Sequence, residues 1–294
     1  MPTDLHCHSL FSVDGWSTPE EMADAMAAAG LTTLSLTDHN TLDGLDRCRA
    51  RARQLGLRFI PGAEFDAMWQ GSEYHFLAFG FDPGSPSLRR LCLRQFGQYE
   101  ANFARFLPIL ERRCGVTRQA LLSGLAGRYR THPSPVLNKW FARGYLLSQG
   151  ILADEPAVAR EMTAVAAEAE RDVAQPWEWA AAEAVRDTVH EAGGVVLLAH
   201  PAGYRRGSLR AQLDLIREFL AIGLDGFELY HPANTGEPHF GDMEAEALRL
   251  GCAVSGGSDT HCDLSRPVQA PPGFTVPDWV THTLDVALAR RRAG

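Results

Sequence analysis

Short apolar runs alternate with helix-period segments along most of the chain, and this alternation restricts the fold more than any other feature. The runs Thr3–His8, Thr32–Asp38, Arg58–Phe65, Glu73–Phe81, Val195–His200, Gly226–Tyr230 and Cys252–Ser258 predict seven strands. The segments between them carry helix start and stop signals. The first has Thr18 as N-cap, Pro19 in the first turn, Glu21 at the capping-box position and Gly30 beyond its end. Two further helices, Leu42–Leu55 and Glu178–Ala192, stop at Gly56 and Gly193. Strand–helix alternation predicts a largely parallel sheet with helical crossovers, and seven strands come close to the eight of a (β/α) barrel. Residues 85–180 break the rhythm, reading as helices interrupted at Pro108, Gly115, Gly127, Pro133 and Pro176. The expected organisation is an α/β barrel domain over 1–84 and 181–294, with a helical insertion domain, 85–180, between strands four and five.

Composition narrows the function. At 45% hydrophobic and 22% charged residues, the 294-residue chain can bury a core, which excludes disorder. No run approaches eighteen apolar residues, and the chain opens as MPTDLHCHS without a basic-then-apolar leader. A cytoplasmic protein with no membrane partner is expected. The cysteines Cys7, Cys48, Cys92, Cys114, Cys252 and Cys262 form no CxxC pair, which speaks against a disulfide framework and a thiolate zinc knuckle. Of 28 basic residues only Lys139 is lysine, a bias that a GC-rich genome produces. A net charge of −8 argues against an extended nucleic-acid surface but leaves room for a local anion pocket.

Histidines and carboxylates fall near the predicted strand ends. His6 and His8 stand at spacing i, i+2, which on a strand puts both imidazoles on one face about 6–7 Å apart. Asp14 follows in the next loop. Strand two ends in Asp38-His39, strand three in Gly62-Ala63-Glu64, and strand four carries His75. Strand five ends in His200-Pro201, and strand seven in Ser258-Asp259-Thr260-His261. In a parallel barrel the carboxyl ends of all strands converge on the face where active sites form. Imidazole and carboxylate without thiolate suit Zn, Mn or Fe and are too nitrogen-rich for a calcium site. Nine such groups exceed the needs of one ion, so two or three divalent ions are expected.

These motifs resemble the polymerase-and-histidinol-phosphatase (PHP) family of metal-dependent phosphoesterases. The residues that carry the resemblance are Asp4-Leu5-His6-Cys7-His8-Ser9 with Asp14-Gly15, Leu36-Thr37-Asp38-His39-Asn40, Pro61-Gly62-Ala63-Glu64, His75, Ala199-His200-Pro201 and Gly257-Ser258-Asp259-Thr260-His261. The resemblance implies a distorted seven-stranded (β/α) barrel. It further implies three metal sites: His6, His8, Glu64 and Asp259; Glu64 as bridge with His75 and His200; and Asp14, His39 and His261. Some relatives have histidine where Asp14 stands, so the third ion can differ. The insertion, with Arg130-Thr131-His132, is similar to that of stand-alone members acting on nucleotides or short RNA.

The chemistry so implied is hydrolysis of a phosphate ester by metal-activated hydroxide, with no serine or cysteine nucleophile. Arg130, His132, Arg205 and Arg206 are the candidates for gripping the substrate's phosphate, since guanidinium binds it through paired hydrogen bonds. Relatives in the nucleotide subgroup add a lysine; Lys139 sits elsewhere, and Arg171 is the candidate to replace it. His231 and His239 are possible substrate contacts, Glu228 a supporting residue, and His190 and His282 helix packing or surface residues. Trp140, Trp177 and Trp179 are read as anchors of the insertion. The alternatives to a nucleotide- or oligonucleotide-directed enzyme are a small-metabolite phosphatase of the histidinol-phosphate kind and a non-catalytic metal-stabilised module.

Overall fold

Among the described residues eight strands form where seven were expected, because the run Arg58–Phe65 is broken in its middle. The computed structural model describes residues 2–128, 136–171, 179–261 and 276–293. Among these, β1 (Thr3–Asp4), β2 (Thr33–Leu34) and β3 (Arg58–Phe59) make a three-stranded parallel sheet. A five-stranded sheet runs in the order β4 (Gly62–Trp69), β5 (Ser72–Phe79), β6 (Val195–Leu198), β7 (Gly226–Tyr230) and β8 (Ala253–Gly256). Pro61 separates β3 from β4, since it has no N–H to donate to a ladder. Gly62 then passes so close to β2 that a Cβ there would lie 2.2 Å from Ser35 Oγ.

Backbone hydrogen bonds link the two sheets along both edges. On one side Leu5 N donates to Gly256 O (3.0 Å) and Asp259 N to His6 O (2.8 Å). On the other, Glu64 N donates to Asp38 O (3.2 Å) and Asn40 N to Glu64 O (2.8 Å). Helices cross over as expected. The helix Pro19–Ala28 carries the complete Thr18–Glu21 capping box, while the other two are shorter than anticipated, at Leu45–Gln54 and Ala182–Glu191.

The parallel expectation fails at β5, which pairs antiparallel with both β4 and β6. The cause is a two-residue connection, Gln70-Gly71, with φ of 49° and 78°. Positive φ at both central residues is the hairpin geometry whose twist matches the flanking strands. Glycine adopts it freely; Gln70 is an unusual occupant, so the turn is poorly signalled in the sequence. The reversal puts the start of β5, not its end, at the rim where its neighbours finish. His75 lies near that start, paired with Asp66.

The opposite end is closed by the helix Asp278–Ala293. Its Leu284 and Leu288 join Leu5, Ile60, Leu77, Phe79 and Leu197 in a buried cluster. Thr283 Oγ1 accepts from Val254 N (2.9 Å), and Asp285 pairs with Arg58 at the start of β3. A cavity of about 710 Å³ lined by Trp279, His282, Arg290, Arg291 and Asp225 also lies at this closed end.

The chain divides into two compact units, Met1–Leu93 with Trp179–Gly294, and Arg94–Glu178. The helix Pro86–Phe103 runs from one into the other. The second unit is helical among its described residues: Leu107–Cys114, Arg118–Arg128, Lys139–Ser148 and Glu155–Arg171 follow. Leu110, Leu121, Phe141, Leu146, Val158 and Val165 are buried within it. No helix among the described residues is long and apolar enough to cross a membrane.

Candidate metal centre

The loop immediately beyond β1 carries His6 and His8 on the same side, with ring centroids 5.2 Å apart. Cys7, between them, turns away and points its thiol at Ser35 O (3.2 Å). His39 follows β2, Glu64 lies in β4, His75 in β5, His200 beyond β6, and Asp259 and His261 beyond β8. Three residues at this rim hold left-handed backbone without being glycine: Asn40 (φ 54°), His200 (φ 28°) and Asp259 (φ 52°). Such conformations are disfavoured, and they persist where surrounding bonds over-determine them. Asp259 N on His6 O supplies one of those bonds.

The side chains converge as two overlapping groups. His6, His8, Glu64 and Asp259 each bring one donor atom within 4.8 Å of the others, as do His8, Asp14, His39 and His261. Glu64 is the hub. Its Oε2 lies 2.9 Å from His6 Nε2, 3.2 Å from His8 Nε2 and 3.5 Å from His39 Nε2. Its Oε1 lies 3.0 Å from His75 Nδ1 and 3.3 Å from His200 Nε2. Asp14 Oδ2 is 3.1 Å from His261 Nε2 and 3.5 Å from His39 Nε2. All nine expected residues therefore meet at one end of the fold.

Do these donors suit a cation? Ligands bound about 2.1 Å from a shared ion stand about 3.0–3.4 Å apart. His8 Nε2 lies 3.2 Å from both Glu64 Oε2 and Asp259 Oδ1, yet this buried atom is hydrogen-bonded to neither. His6 Nε2 is likewise 3.3 Å from Asp259 Oδ1. Nitrogen and oxygen atoms at that spacing, one of them orphaned and buried, fit ligands that share an ion better than partners that bond each other.

The far nitrogens are held from behind, as orienting partners of metal-binding histidines are. His6 Nδ1 meets Glu228 Oε1 (2.9 Å), His75 Nε2 meets Asp66 Oδ1 (3.2 Å), and His261 Nδ1 meets Asp259 O (2.9 Å). Asp38, which the motif places next to His39, does not face the cluster. It accepts from Ser9 N (2.5 Å) and Ser9 Oγ (2.7 Å), and burial raises its carboxyl to about 6.

Electrostatically the cluster is a set of opposite charges brought together by burial. Burial opposes charge on His8, but neighbouring Asp259 and Glu64 carry its imidazole up to about 10. Burial likewise opposes charge on His6, yet Glu228, Glu64 and Asp259 hold it well above its ordinary value. Against the pull of burial, His6, His39 and His75 depress Glu64 well below the carboxylate range. For His39 burial prevails and the imidazole is lowered. Exposure is graded: His6, His8 and Glu64 are sealed, whereas the side chains of His75, Asp259 and His261 are 28%, 26% and 36% exposed. These three form the open edge.

The substrate candidates separate. Arg130 and His132 lie outside the described residues, as do Trp177, Cys262 and the Arg171 side chain. Arg205 donates to the Tyr74 hydroxyl (3.1 Å), and Arg206 is exposed. Lys139 stacks over Trp140 (4.1 Å). His239 bonds Gln212 (3.0 Å), and His190 binds Asp225 (2.7 Å) at the closed end. Tyr204 escaped the sequence reading: its hydroxyl accepts from His75 N (2.7 Å), and its ring lies 5.3 Å from that of His200. Only its place four residues after His200 could have drawn notice to it.

The model of the PHP domain matches residues 4–138. The chain is 31% identical over 284 residues to a 3′,5′-nucleoside bisphosphate phosphatase of Chromobacterium violaceum, covering 92% of each. It is 30% identical over 295 residues to a phosphoribosyl 1,2-cyclic phosphate 1,2-diphosphodiesterase of Eggerthella lenta, covering 94% of this chain and 100% of that one. A 5′-3′ exoribonuclease of Haemophilus influenzae is 28% identical over 259 residues, with 88% and 89% covered. The fold matches a crystal structure of a protein from Bifidobacterium adolescentis, with a TM-score of 0.76, 24% identity and 98% of both chains covered. With these relatives spanning nearly its whole length, the chain belongs to the PHP family and is a hydrolase of phosphoric ester bonds.

Proposed function

We propose that this hydrolase is a cytoplasmic enzyme that uses two or three divalent cations, of zinc, manganese or iron, to cleave a phosphate ester of a nucleotide or short oligonucleotide. The observation that carries the reading is the donor set around Glu64, with nitrogens and oxygens 2.9–3.5 Å apart and His8 Nε2 orphaned among them. His6, His8, Glu64 and Asp259 would hold the first cation, and Glu64, His75 and His200 the second. Asp14, His39 and His261 would hold the third, with His8 in reach. In this reading the two sheets act as one distorted seven-stranded barrel, β3 and β4 counting as a single interrupted strand.

Cations so held neutralise phosphate charge and acidify water near neutral pH. The protein's own part is placement. Glu64 would hold both of the first two positions, with Oε2 turned toward His6 and His8 and Oε1 toward His75 and His200. Glu228 and Asp66 fix the rings of His6 and His75. Among the described residues His6 and His8 are sealed, and a phosphate would approach along the edge where His75, Asp259 and His261 are exposed.

The nucleotide assignment draws on the Chromobacterium and Haemophilus relatives, whose names specify a nucleoside bisphosphate and RNA. Arg205 and Arg206, with Arg130 and His132 of the helical insertion, are the proposed phosphate contacts, and the insertion (85–180 in the sequence reading) the proposed substrate-selecting segment. The Eggerthella relative, named for a sugar cyclic phosphate, favours the small-metabolite alternative.

The reaction is tested by removing metal with a chelator and by His8→Ala and Asp259→Ala. Each should abolish phosphate release, and full activity after any of them refutes the metal reading. Product formation then decides the substrate: inorganic phosphate from nucleoside 3′,5′-bisphosphates and histidinol phosphate, mononucleotides from short 5′-phosphorylated RNA, and the ring-opened ester from phosphoribosyl cyclic phosphate. A kcat/KM highest on either of the last two overturns the nucleotide assignment.

A further inference from the structure

Strand β7 is the one strand from which no metal ligand was expected, yet its Glu228 touches two of them. The side chain is completely buried. Its Oε1 lies 2.9 Å from His6 Nδ1, and its Oε2 accepts from the backbone N–H of His200 at 2.9 Å. His6 belongs to the first proposed metal position and His200 to the second. Glu64 joins the same two residues from the metal side, through Oε2 to His6 (2.9 Å) and Oε1 to His200 (3.3 Å). His6, Glu64, His200 and Glu228 thus close a ring, with one carboxylate facing the cluster and the other behind it.

We infer that Glu228 is a positioning residue that couples the first two metal positions, so that they gain and lose metal together. The inference rests on the metal reading of the previous subsection. Both partners of Glu228 donate: the ring N–H of His6, once the other nitrogen faces a cation, and the main-chain N–H of His200. Two acceptor oxygens are therefore needed at one point. Glutamine offers only one, and its amide group would face a second donor. Aspartate offers two but is shorter by about 1.5 Å, so it cannot reach both.

The His200 end of the ring is where support is needed, because that residue sits in the left-handed region at φ 28°. Buried Asn234 braces the same junction. Its Nδ2 donates to Glu228 O (2.9 Å) and its Oδ1 accepts from Ala202 N (3.0 Å), which ties β7 to the turn that follows His200. Movement of the Glu228 carboxylate would therefore release the ring of one ligand and the backbone of the other at once. Outer partners of this kind typically change metal affinity 10- to 100-fold.

The test is equilibrium dialysis of metal-stripped protein against Mn²⁺, with bound metal counted directly, for the parent, Glu228→Gln and Glu228→Asp. Far-UV circular dichroism and the melting temperature of the stripped proteins are measured alongside. The expected result is that both tight equivalents weaken about 10-fold or more in each variant, while the stripped proteins stay folded. Weakening of one equivalent alone overturns the coupling. A lower melting temperature with parent-like Mn²⁺ binding shows a purely structural residue and overturns the inference. Should Glu228→Gln fail to fold, Glu228→Asp decides, because it keeps the charge and removes only reach; parent-like binding by it also overturns the inference. A parent protein that takes up no Mn²⁺ refutes the underlying metal reading instead.

Discussion

Gly257 lies where β8 passes β1, and replacing it by alanine should break the seam that sets the distance between His6 and Asp259. A Cβ built there stands 2.2 Å from His6 N, 2.4 Å from His6 Cβ and 2.7 Å from Asp4 Oδ1. Carbon atoms in ordinary contact sit about 3.5 Å apart or more, so the two segments must separate by about 1 Å. The three hydrogen bonds across the seam that lie nearest Gly257 are Leu5 N to Gly256 O (3.0 Å), Asp259 N to His6 O (2.8 Å) and Ser258 N to Asp4 Oδ1 (3.0 Å). An added 1 Å puts all three outside bonding range. At about 1 kcal/mol each, with about 1–3 kcal/mol for overpacking, Gly257→Ala should cost about 4–6 kcal/mol. For a unit of roughly 200 residues that lowers the melting temperature by about 8–24 °C. The same displacement opens the 3.3 Å gap between His6 Nε2 and Asp259 Oδ1, and misplacing catalytic groups by about 1 Å can cost about 100-fold in rate. The assay is a thermal melt of metal-stripped protein, followed by Mn²⁺ uptake and phosphate release. Gly241→Ala, in the helix Phe240–Leu250, is the control, since nothing lies within 4 Å of its Cβ position and alanine should stabilise that helix by about 0.5 kcal/mol. A Gly257→Ala protein melting within about 2 °C of the parent, with unchanged metal uptake, would refute this reasoning.

Two further outcomes are expected away from the metals. Asp225 accepts from Val196 N (2.8 Å) and Arg291 (2.7 Å) and pairs with His190 (2.7 Å); against the pull of burial, these hold its carboxyl below the usual range. A depressed acid stabilises the fold above its unfolded pKa of about 3.9, and the effect is lost as pH falls through the folded value. Asp225→Asn should therefore cost about 1–3 kcal/mol at pH 7, with the gap shrinking below about pH 4; melts that differ equally at pH 3 and pH 7 would contradict the account. At the hairpin, Gln70→Asn should raise stability by about 0.5–1 kcal/mol, because asparagine tolerates the positive φ of 49° better than glutamine does. Urea unfolding measures it, and an unchanged or lower midpoint counts against that turn geometry.

The sequence made the strand ends that carry the cluster legible because each motif is local and is fixed by short-range geometry. His6 and His8 follow from period-two alternation, which needs only an extended backbone. His200, Asp259 and His261 follow from the glycine and proline punctuation beside them. The capped helix Pro19–Ala28 was equally local, with Thr18, Glu21 and Pro19 agreeing on its start. The break at Pro61 could have been taken from proline's missing donor, but the apolar run on either side hid it. The hairpin at Gln70-Gly71 was hidden for the opposite reason, since glutamine is not a turn residue by composition. Its consequence was not local: with β5 reversed, His75 reaches the cluster from the start of its strand, so its place there had been expected from a wrong strand direction.

Glu228 was expected as a supporting residue, but its partners behind the cluster stayed illegible, because they depend on which residues oppose each other across the ring. Glu228 sits 222 positions from His6 and 28 from His200 in sequence, and no spacing rule links them. His231 is similar: its Nδ1 accepts from Ala233 N (3.0 Å), so a ring proton resides on Nε2, which lies 3.2 Å from Asp259 Oδ2. That contact occupies the Asp259 oxygen facing away from His6 and His8 and leaves Oδ1 turned toward them. Glu228 and His231 thus treat a histidine and a carboxylate in the same manner, each fixing the far atom so that the near one has a single direction. Residues that aim ligands must lie behind them, and in a ring of strands that position falls to the neighbouring strand. The absence of a predicted ligand on β7 is what leaves its buried end free for that task.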